Sequence, residues 1–346
     1  MFADLNEKVA LITGGGQGLG LGIVLKMAEQ GADIAIADLS DETLRQAADQ
    51  VEGMGRKVYT VKMDVTDKGS VTAGVNDLTS QAGQIDILVN NAGYGAFYEW
   101  EEFPEDEIIR QTTVLFSAPI LLCKAFAPLM SKEQKGIIVN LTSLATLYPL
   151  PYMPLYNAGK SALSSFTQSL MLEYPNFPKL IDFRSGDVRT SFNLSAPKQA
   201  LADQPLSMKR AWTQIENQLE DSPGAEVVCG QLFRAMKGGG SGVRYGGGLR
   251  SNVMIVPHHG SNTSSSQLLL DVVQPDIAIV SRGARNRFGH PQADVVRRYD
   301  EKRVIWLDTA EQGAVLVKVE QGRVDWRAWA DTQMRFWHSP QHSFMR

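Results

Sequence analysis

Tyr156 and Lys160 stand four residues apart in the run Tyr156-Asn157-Ala158-Gly159-Lys160, with Ser143 thirteen residues before the tyrosine. At that spacing a phenol and an ammonium share one face of a helix. A cation beside a phenol favours phenolate, so the pair predicts a tyrosine drawn down from about 10 toward the working range of a general acid/base. Taken alone, the pair also reads as an ordinary surface contact. A second group of residues supplies context: Thr13-Gly14-Gly15-Gly16-Gln17-Gly18-Leu19-Gly20, between the apolar run 9–13 and a helix-period segment at 18–30. Glycines there let the backbone turn tightly and approach a pyrophosphate, which the free amides and positive end of the following helix then bind. An ordinary tight turn would look the same by itself. Asp38 follows about 20 residues later, where a carboxylate binds ribose hydroxyls and repels a 2'-phosphate, favouring NAD over NADP; a solvated strand-end Asp is the alternative.

These residues need a scaffold that brings strand ends together. Apolar, strand-sized runs at 9–13, 33–38, 58–65, 85–90, 136–142 and 180–186 alternate with helix-period segments at 18–30, 41–53, 68–82, 105–130 and 154–174. Continuous apolar strands separated by helices indicate a parallel sheet covered on both faces, a doubly wound α/β domain. Residues 241–245, between the clusters Gly238-Gly239-Gly240 and Gly246-Gly247-Gly248, read either as a last short strand or as part of a glycine-rich linker.

With 346 residues, 43% hydrophobic and 21% charged, the chain can build one large domain or two ordinary ones. A net charge of -4 gives no global basic field, so binding of nucleic acid or a membrane surface by the whole protein is not expected. Cys123 and Cys229 are too few for a disulfide framework. The N-terminus lacks the basic flank of an export signal, and the greasy stretch 114–130 falls short of a membrane span and reads as a buried helix. Together these suggest a cytoplasmic location.

The glycine turn meets the pattern TGxxxGxG, and the chain resembles the short-chain dehydrogenase/reductase family over about 240 residues. Asp64-Val65, Asn90-Asn91-Ala92-Gly93, Ser143 and the YxxxK of Tyr156 and Lys160 follow in the family's order. The resemblance implies a Rossmann-type fold and an NAD-dependent interconversion of a small alcohol and a ketone or aldehyde, in a homo-oligomer. It implies Ser143, Tyr156 and Lys160 as catalytic residues, with Tyr156 exchanging a proton with the substrate oxygen, Ser143 hydrogen-bonding that oxygen and Lys160 holding the nicotinamide ribose. Cofactor-binding positions are then Thr13, Gly14, Gly18, Leu19, Gly20, Asp38, Asp64, Val65, Asn90, Ala92, Gly93, Tyr156, Lys160 and Thr190. Two positions depart from the family: Leu115 stands where an Asn commonly supports a proton-relay water, and Ser185 replaces the proline before Gly186. Tyr94, Phe97, Trp100 and segments 144–152 and 194–219 would line an apolar substrate pocket, or serve as plain packing.

Residues 249–346 differ. Residues 1–249 carry a net charge of -7 and mostly Lys, whereas 250–346 carry +3 and use only Lys302 and Lys318 beside 11 Arg. Val253–Ser266, with Pro257-His258-His259-Gly260-Ser261, then Pro275–Ser281, Asn286–Pro291 and Leu307–Ala314, resemble the C-terminal part of the metallo-β-lactamase-fold domain of ComEC/Rec2-type competence proteins. The expected domains are therefore 1–248, an NAD-binding domain, and 249–346, a partial metallo-β-lactamase-like segment. The upstream HxHxDH ligands of that fold are absent from the sequence, so no metal site is expected; His258 and His259, in an extended segment, would point to opposite faces. Arg282, Arg285, Arg287 and Phe288 form a small basic and aromatic patch that suits phosphate or is simply solvated. Aromatics at 306, 326, 329, 336 and 337 suggest that the segment docks on a partner surface, remains disordered or associates.

Overall fold

A computed structural model of the chain describes residues 5–190, 192, 196–200, 204–238, 240–246, 253–261, 264–265, 267–283, 286, 289–320 and 323–328. It forms two compact units, Met1–Gly248 and Leu249–Arg346.

In the first unit, strands β1 (Val9–Thr13), β2 (Asp33–Asp38), β3 (Val58–Lys62), β4 (Ile87–Asn90), β5 (Ile137–Ser143), β6 (Lys179–Ser185) and β7 (Gly242–Gly246) form one parallel sheet. Their order is β3-β2-β1-β4-β5-β6-β7. Strand periodicity divides each run between two cores. Ala10, Ile12, Ile34, Ile36, Ile87 and Val89 pack with helices α1 (Gly18–Glu29), α2 (Asp41–Gly53) and a later helix at Ala225–Lys237. Leu11, Ala35, Leu88, Ile138 and Leu180 face the other way, onto α3 (Lys68–Ala82), α5 (Ala118–Lys132) and α6 (Pro154–Glu173). Both faces being covered, the runs are mostly apolar, which is why the strands were legible. Strand β3 ends at Lys62, short of the expected 65, because Met63 and Asp64 already turn toward α3, whose Ser70 hydroxyl accepts from the Asp64 amide at 3.0 Å.

Helix α4 (Glu105–Thr112) passes through a π-helical turn, Thr113–Ser117, into α5. By length and composition Glu105–Lys132 could cross a membrane. Its Leu122, Cys123, Phe126, Ala127 and Met130 are instead buried against the sheet, the position of a core helix. Helix α7 (Leu206–Glu220) overlaps the expected 194–219 segment and runs one residue past it, part of that segment lying outside the described residues, and α8 (Ala225–Lys237) precedes β7. Strand β7 pairs in parallel with β6 from Ile181↔Gly242 to Ser185↔Gly246, so the strand reading of that glycine-bounded segment is the one realised.

The second unit contains a parallel sheet of β8 (Val253–Ile255), β9 (Ile277–Val280) and β10 (Ile305–Asp308), with helices α9 (Gln267–Val273), α10 (Ala293–Glu301) and α11 (Thr309–Gln312). Strands β11 (Val315–Glu320) and β12 (Arg323–Ala328) form an antiparallel hairpin. Ile277, Ile279 and Leu307 make a small core with Val253, Val315, Val317 and Trp326 around them. The fully buried Tyr299 donates to the Ser265 hydroxyl at 2.8 Å, and Arg282 is paired with Asp308 at 2.6 Å. Pro257–Gly260 is a short 3-10 turn with His259 at φ 56°, so the expected extended segment is wrong there; the His259 ring meets the Ser281 carbonyl. Arg285, Arg287, Phe288, Trp329, Phe336, Trp337, His338 and His342 lie outside the described residues.

Both helical layers and all seven strands of the first sheet precede residue 249. A chain ending at Gly248 is therefore expected to fold alone, unfold cooperatively in urea and bind NADH within about twofold of the full chain. Equilibrium denaturation and fluorescence titration check this; aggregation or lost binding would count against it.

Candidate active site

The loops after β1 and β4, neighbours in the sheet, leave toward opposite faces, which opens a crevice at the carboxyl ends of the strands. A cavity of about 440 Å³ occupies it. It runs along the strand ends from Asp38, at the end of β2, and Asp64 and Val65, after β3, to Ser143, Tyr156 and Lys160, on β5 and α6.

The glycine turn builds the cradle. Gly14 sits at φ 63°, and a Cβ on Gly20 would collide with the Gly14 carbonyl oxygen, so the turn closes only without side chains there. Helices α2 and α3 are capped by the Ser40 and Asp67 side chains, but α1 has no side-chain cap and no acid in its first turn. Its amide groups face the cavity with their partial positive charge uncompensated, as an anion site requires. Asp38 accepts from the Gly16 amide at 2.9 Å and the Leu39 amide at 2.8 Å, which fixes the carboxylate at the rim beside the turn. Glycine cradle, uncapped helix and carboxylate fit the diphosphate and ribose of a dinucleotide.

Gly14, Gly18, Leu19, Gly20, Asp38, Asp64, Val65, Ala92, Gly93, Ser143, Tyr156, Lys160 and Thr190 all line the cavity. Thr13 and Asn90 do not. The Thr13 hydroxyl accepts from the amides of Asn91 and Ala92, both at 3.1 Å, and so ties the loop after β4 to the glycine turn. Asn90 points into the interior and donates to Asn140 Oδ1 at 2.7 Å. It is Asn91 that reaches the cavity, donating to the carbonyls of Thr13 at 2.9 Å and Gly14 at 3.1 Å. Strand alternation alone would have separated the two asparagines.

At the far end, the Ser143 hydroxyl accepts from the Ala145 amide at 3.1 Å. The Lys160 amine is buried, lies 5.8 Å from the Tyr156 ring centroid and donates to the Leu141 carbonyl at 2.6 Å. Burial draws Lys160 down to about 8, against the opposing pull of Asp182. The expected lowering of Tyr156 is not what the structure has. Burial raises this phenol above its ordinary value, a hydrogen bond with Ser143 pulls the other way, and Asp187 raises it further. Desolvation of the phenolate is the largest of these effects.

Leu115, in the π-helical turn, is buried in the space beside the lysine. A Cβ on Gly159 would stand 2.8 Å from the Leu115 Cβ, and one on Gly93 would stand 3.2 Å from Leu115 Cδ2 and 3.5 Å from Lys160 Nζ. The pocket wall includes Tyr94, Leu150, Met153, Phe192, Ile215 and Leu219. Of the residues expected in that wall, Phe97 is instead wholly buried against Trp212, at 4.8 Å between ring centroids, and Trp100 is exposed. Asp187, unnoticed in the sequence, also lines the cavity, and burial raises its carboxyl. Among the described residues no group of three or more His, Cys, Asp or Glu is placed to hold a metal ion.

Comparison with known proteins agrees with this architecture. The 1,6-dihydroxycyclohexa-2,4-diene-1-carboxylate dehydrogenase of Acinetobacter baylyi is 30% identical over 60% of this chain and 78% of its own. A short chain dehydrogenase/reductase from Burkholderia phymatum, solved in complex with NAD, superposes with a TM-score of 0.61 at 28% identity, covering 68% of this chain and 88% of its own. A metagenomic short-chain oxidoreductase in complex with NADP gives 0.51 at 29% identity, covering 54% and 85%. The matches span 66–80% of the length of the curated relatives. The short chain dehydrogenase family itself matches residues 8–185, the span that holds the glycine turn, Ser143, Tyr156 and Lys160, and this chain belongs to that family of oxidoreductases.

Proposed function

We propose that the protein is an NAD-dependent oxidoreductase interconverting an alcohol and a ketone or aldehyde. The convergence of Ser143, Tyr156 and Lys160 at one end of a cavity whose other end is a dinucleotide cradle carries this reading. The cofactor, when bound, supplies the hydride acceptor or donor. In reduction Tyr156 gives its proton to the substrate oxygen, and in oxidation the phenolate takes one from the alcohol. Ser143 positions that oxygen, and Lys160 holds the ribose and offsets the negative charge of the phenolate. Because Tyr156 is raised, the phenol is the prevalent form near neutral pH, which supports proton donation and hence carbonyl reduction there. The apolar wall suits a substrate with an apolar body. NAD is favoured over NADP because Asp38 presents a fixed negative charge where a 2'-phosphate would have to sit.

Leu115 supports a second reading, a cofactor-binding protein of slow turnover, since no side-chain amide stands there to hold a relay water near Lys160. We place the protein in the cytoplasm as a homo-oligomer, without a nucleic-acid or membrane partner. The second unit, by its resemblance, is a remnant of a metallo-β-lactamase-like domain; a phosphodiester-directed role would need metal ligands supplied by another chain.

Tyr156→Phe is expected to lower NADH-dependent reduction of a panel of apolar ketones at least about 100-fold while leaving NADH affinity within about threefold. Stopped-flow turnover and fluorescence titration test this, and parent-like turnover in the variant would remove Tyr156 from the acid/base role. Asp38→Ala is expected to narrow the preference for NADH over NADPH by removing charge repulsion, read as the ratio of the two dissociation constants. Equal affinities in the parent would sink the NAD assignment.

A further inference from the structure

Below the cavity floor lies a charge for which the reaction described above has no use. Asp182, in the middle of β6, is fully shielded from solvent, opposite Asn140 in the β5–β6 register. Its carboxylate accepts from the hydroxyls of Thr142 and Ser164, the latter at 2.7 Å, and from Arg184 Nε at 3.3 Å. Arg184 also donates to the Ser164 hydroxyl at 3.1 Å. Thr142 directly precedes Ser143 on β5, and Ser164 lies one turn beyond Lys160 and two beyond Tyr156 on the same face of α6. One carboxylate therefore joins the strand that carries the serine to the helix that carries the tyrosine and lysine. Lys160 itself completes the loop through the carbonyl of Leu141, the residue before Thr142.

We propose that Asp182 is a positioning residue for this cavity: it clamps the end of β5 to the catalytic face of α6 and supplies the buried negative charge that keeps Lys160 an ammonium. Three donors converge on this one buried carboxylate. The space beside the lysine that Leu115 occupies offers it no polar side chain, which leaves the Leu141 carbonyl and the field of Asp182 to stabilise the ammonium. The elements packed on α6 carry other charged or titratable groups, among them Glu107 and Arg110 of α4, Lys124 and Lys132 of α5, Arg184 of β6, Asp187 just after it and Tyr245 of β7. Tyr156 lies on α6 itself. Among all these, Asp182 is the charge that favours the ammonium form of Lys160, opposing the effect of burial.

The proposal rests on the reading in which Lys160 as an ammonium holds the nicotinamide ribose, so that NADH affinity falls as the lysine loses its proton. The test is NADH fluorescence titration of the full chain from pH 6.5 to 10, with folding of each variant checked by circular dichroism. The parent is expected to lose affinity with a midpoint near 8. Asp182→Asn removes the negative charge and is expected to move that midpoint down by about one pH unit, a tenfold change in proton affinity. Arg184→Gln removes the positive charge beside Asp182 and is expected to move it up. Ser164→Ala loosens the clamp without altering charge and is expected to weaken binding with the midpoint in place. Shifts of opposite sign are a signature that general loosening of the fold does not produce. If Asp182→Asn does not fold, the upward shift in Arg184→Gln still decides. Unmoved midpoints in folded variants overturn the role of Asp182 alone, whereas a parent with no pH-dependent affinity overturns the assignment of Lys160 and this proposal with it.

Discussion

A primary amine almost wholly removed from water is the most demanding group in the first unit, and much of the surrounding architecture answers to it. Lys160 retains a proton only if other groups replace its lost hydration. The Leu141 carbonyl does so by direct contact, at the end of a strand that is buried along its whole length. That contact requires β5 and α6 to keep a fixed spacing, and the spacing depends on the packing of α6 against β5 and β6. The sheet is thus a platform that places a dipole and a helix face within hydrogen-bond reach of each other. The same rigidity brings Ser143 and Tyr156 into one cavity.

The opposite end of the cavity obeys a different rule, exclusion of side chains. There the backbone approaches itself so closely that Gly20 has no space for a Cβ, and polar cross-ties from Asn91, Thr13 and Asp38 hold three strand ends together. Rigid polar ties on one side and bare backbone on the other leave the α1 amides with no partner from a capping side chain. Such an N-terminus is suited to an anion.

Much of this was legible in the residues because the signals were local. Glycine spacing, strand-sized apolar runs and the interval from Tyr156 to Lys160 all report on one or two consecutive elements. What was not legible depended on register between elements. Asn90 was expected at the cofactor, but it turns inward to a partner on β5, Asn140, and Asn91 reaches the glycine turn instead. Asp182 and Arg184 sat unremarked in an otherwise apolar run, since their partners lie on another strand and a helix. The direction in which Tyr156 moves was misread because spacing reports the nearby cation, whereas depth in the fold sets the larger opposing cost. In the second unit, His258 and His259 looked extended because β8 precedes them, but the strand ends at Ile255 and the chain coils immediately afterward.

The π-helical turn between α4 and α5 has a mechanical consequence. Each residue of an α-helix advances the side-chain direction by about 100°, so one additional residue in a single turn resets the phase of everything on one side relative to the other. The apolar stripe of α5 can then face the sheet while α4, continuous with it in backbone, turns Arg110 to the cavity rim. Leu115 sits within the phase change itself. This stretch therefore serves two surfaces at once, with Arg110 and Val114 lining the cavity and α5 packed on the sheet.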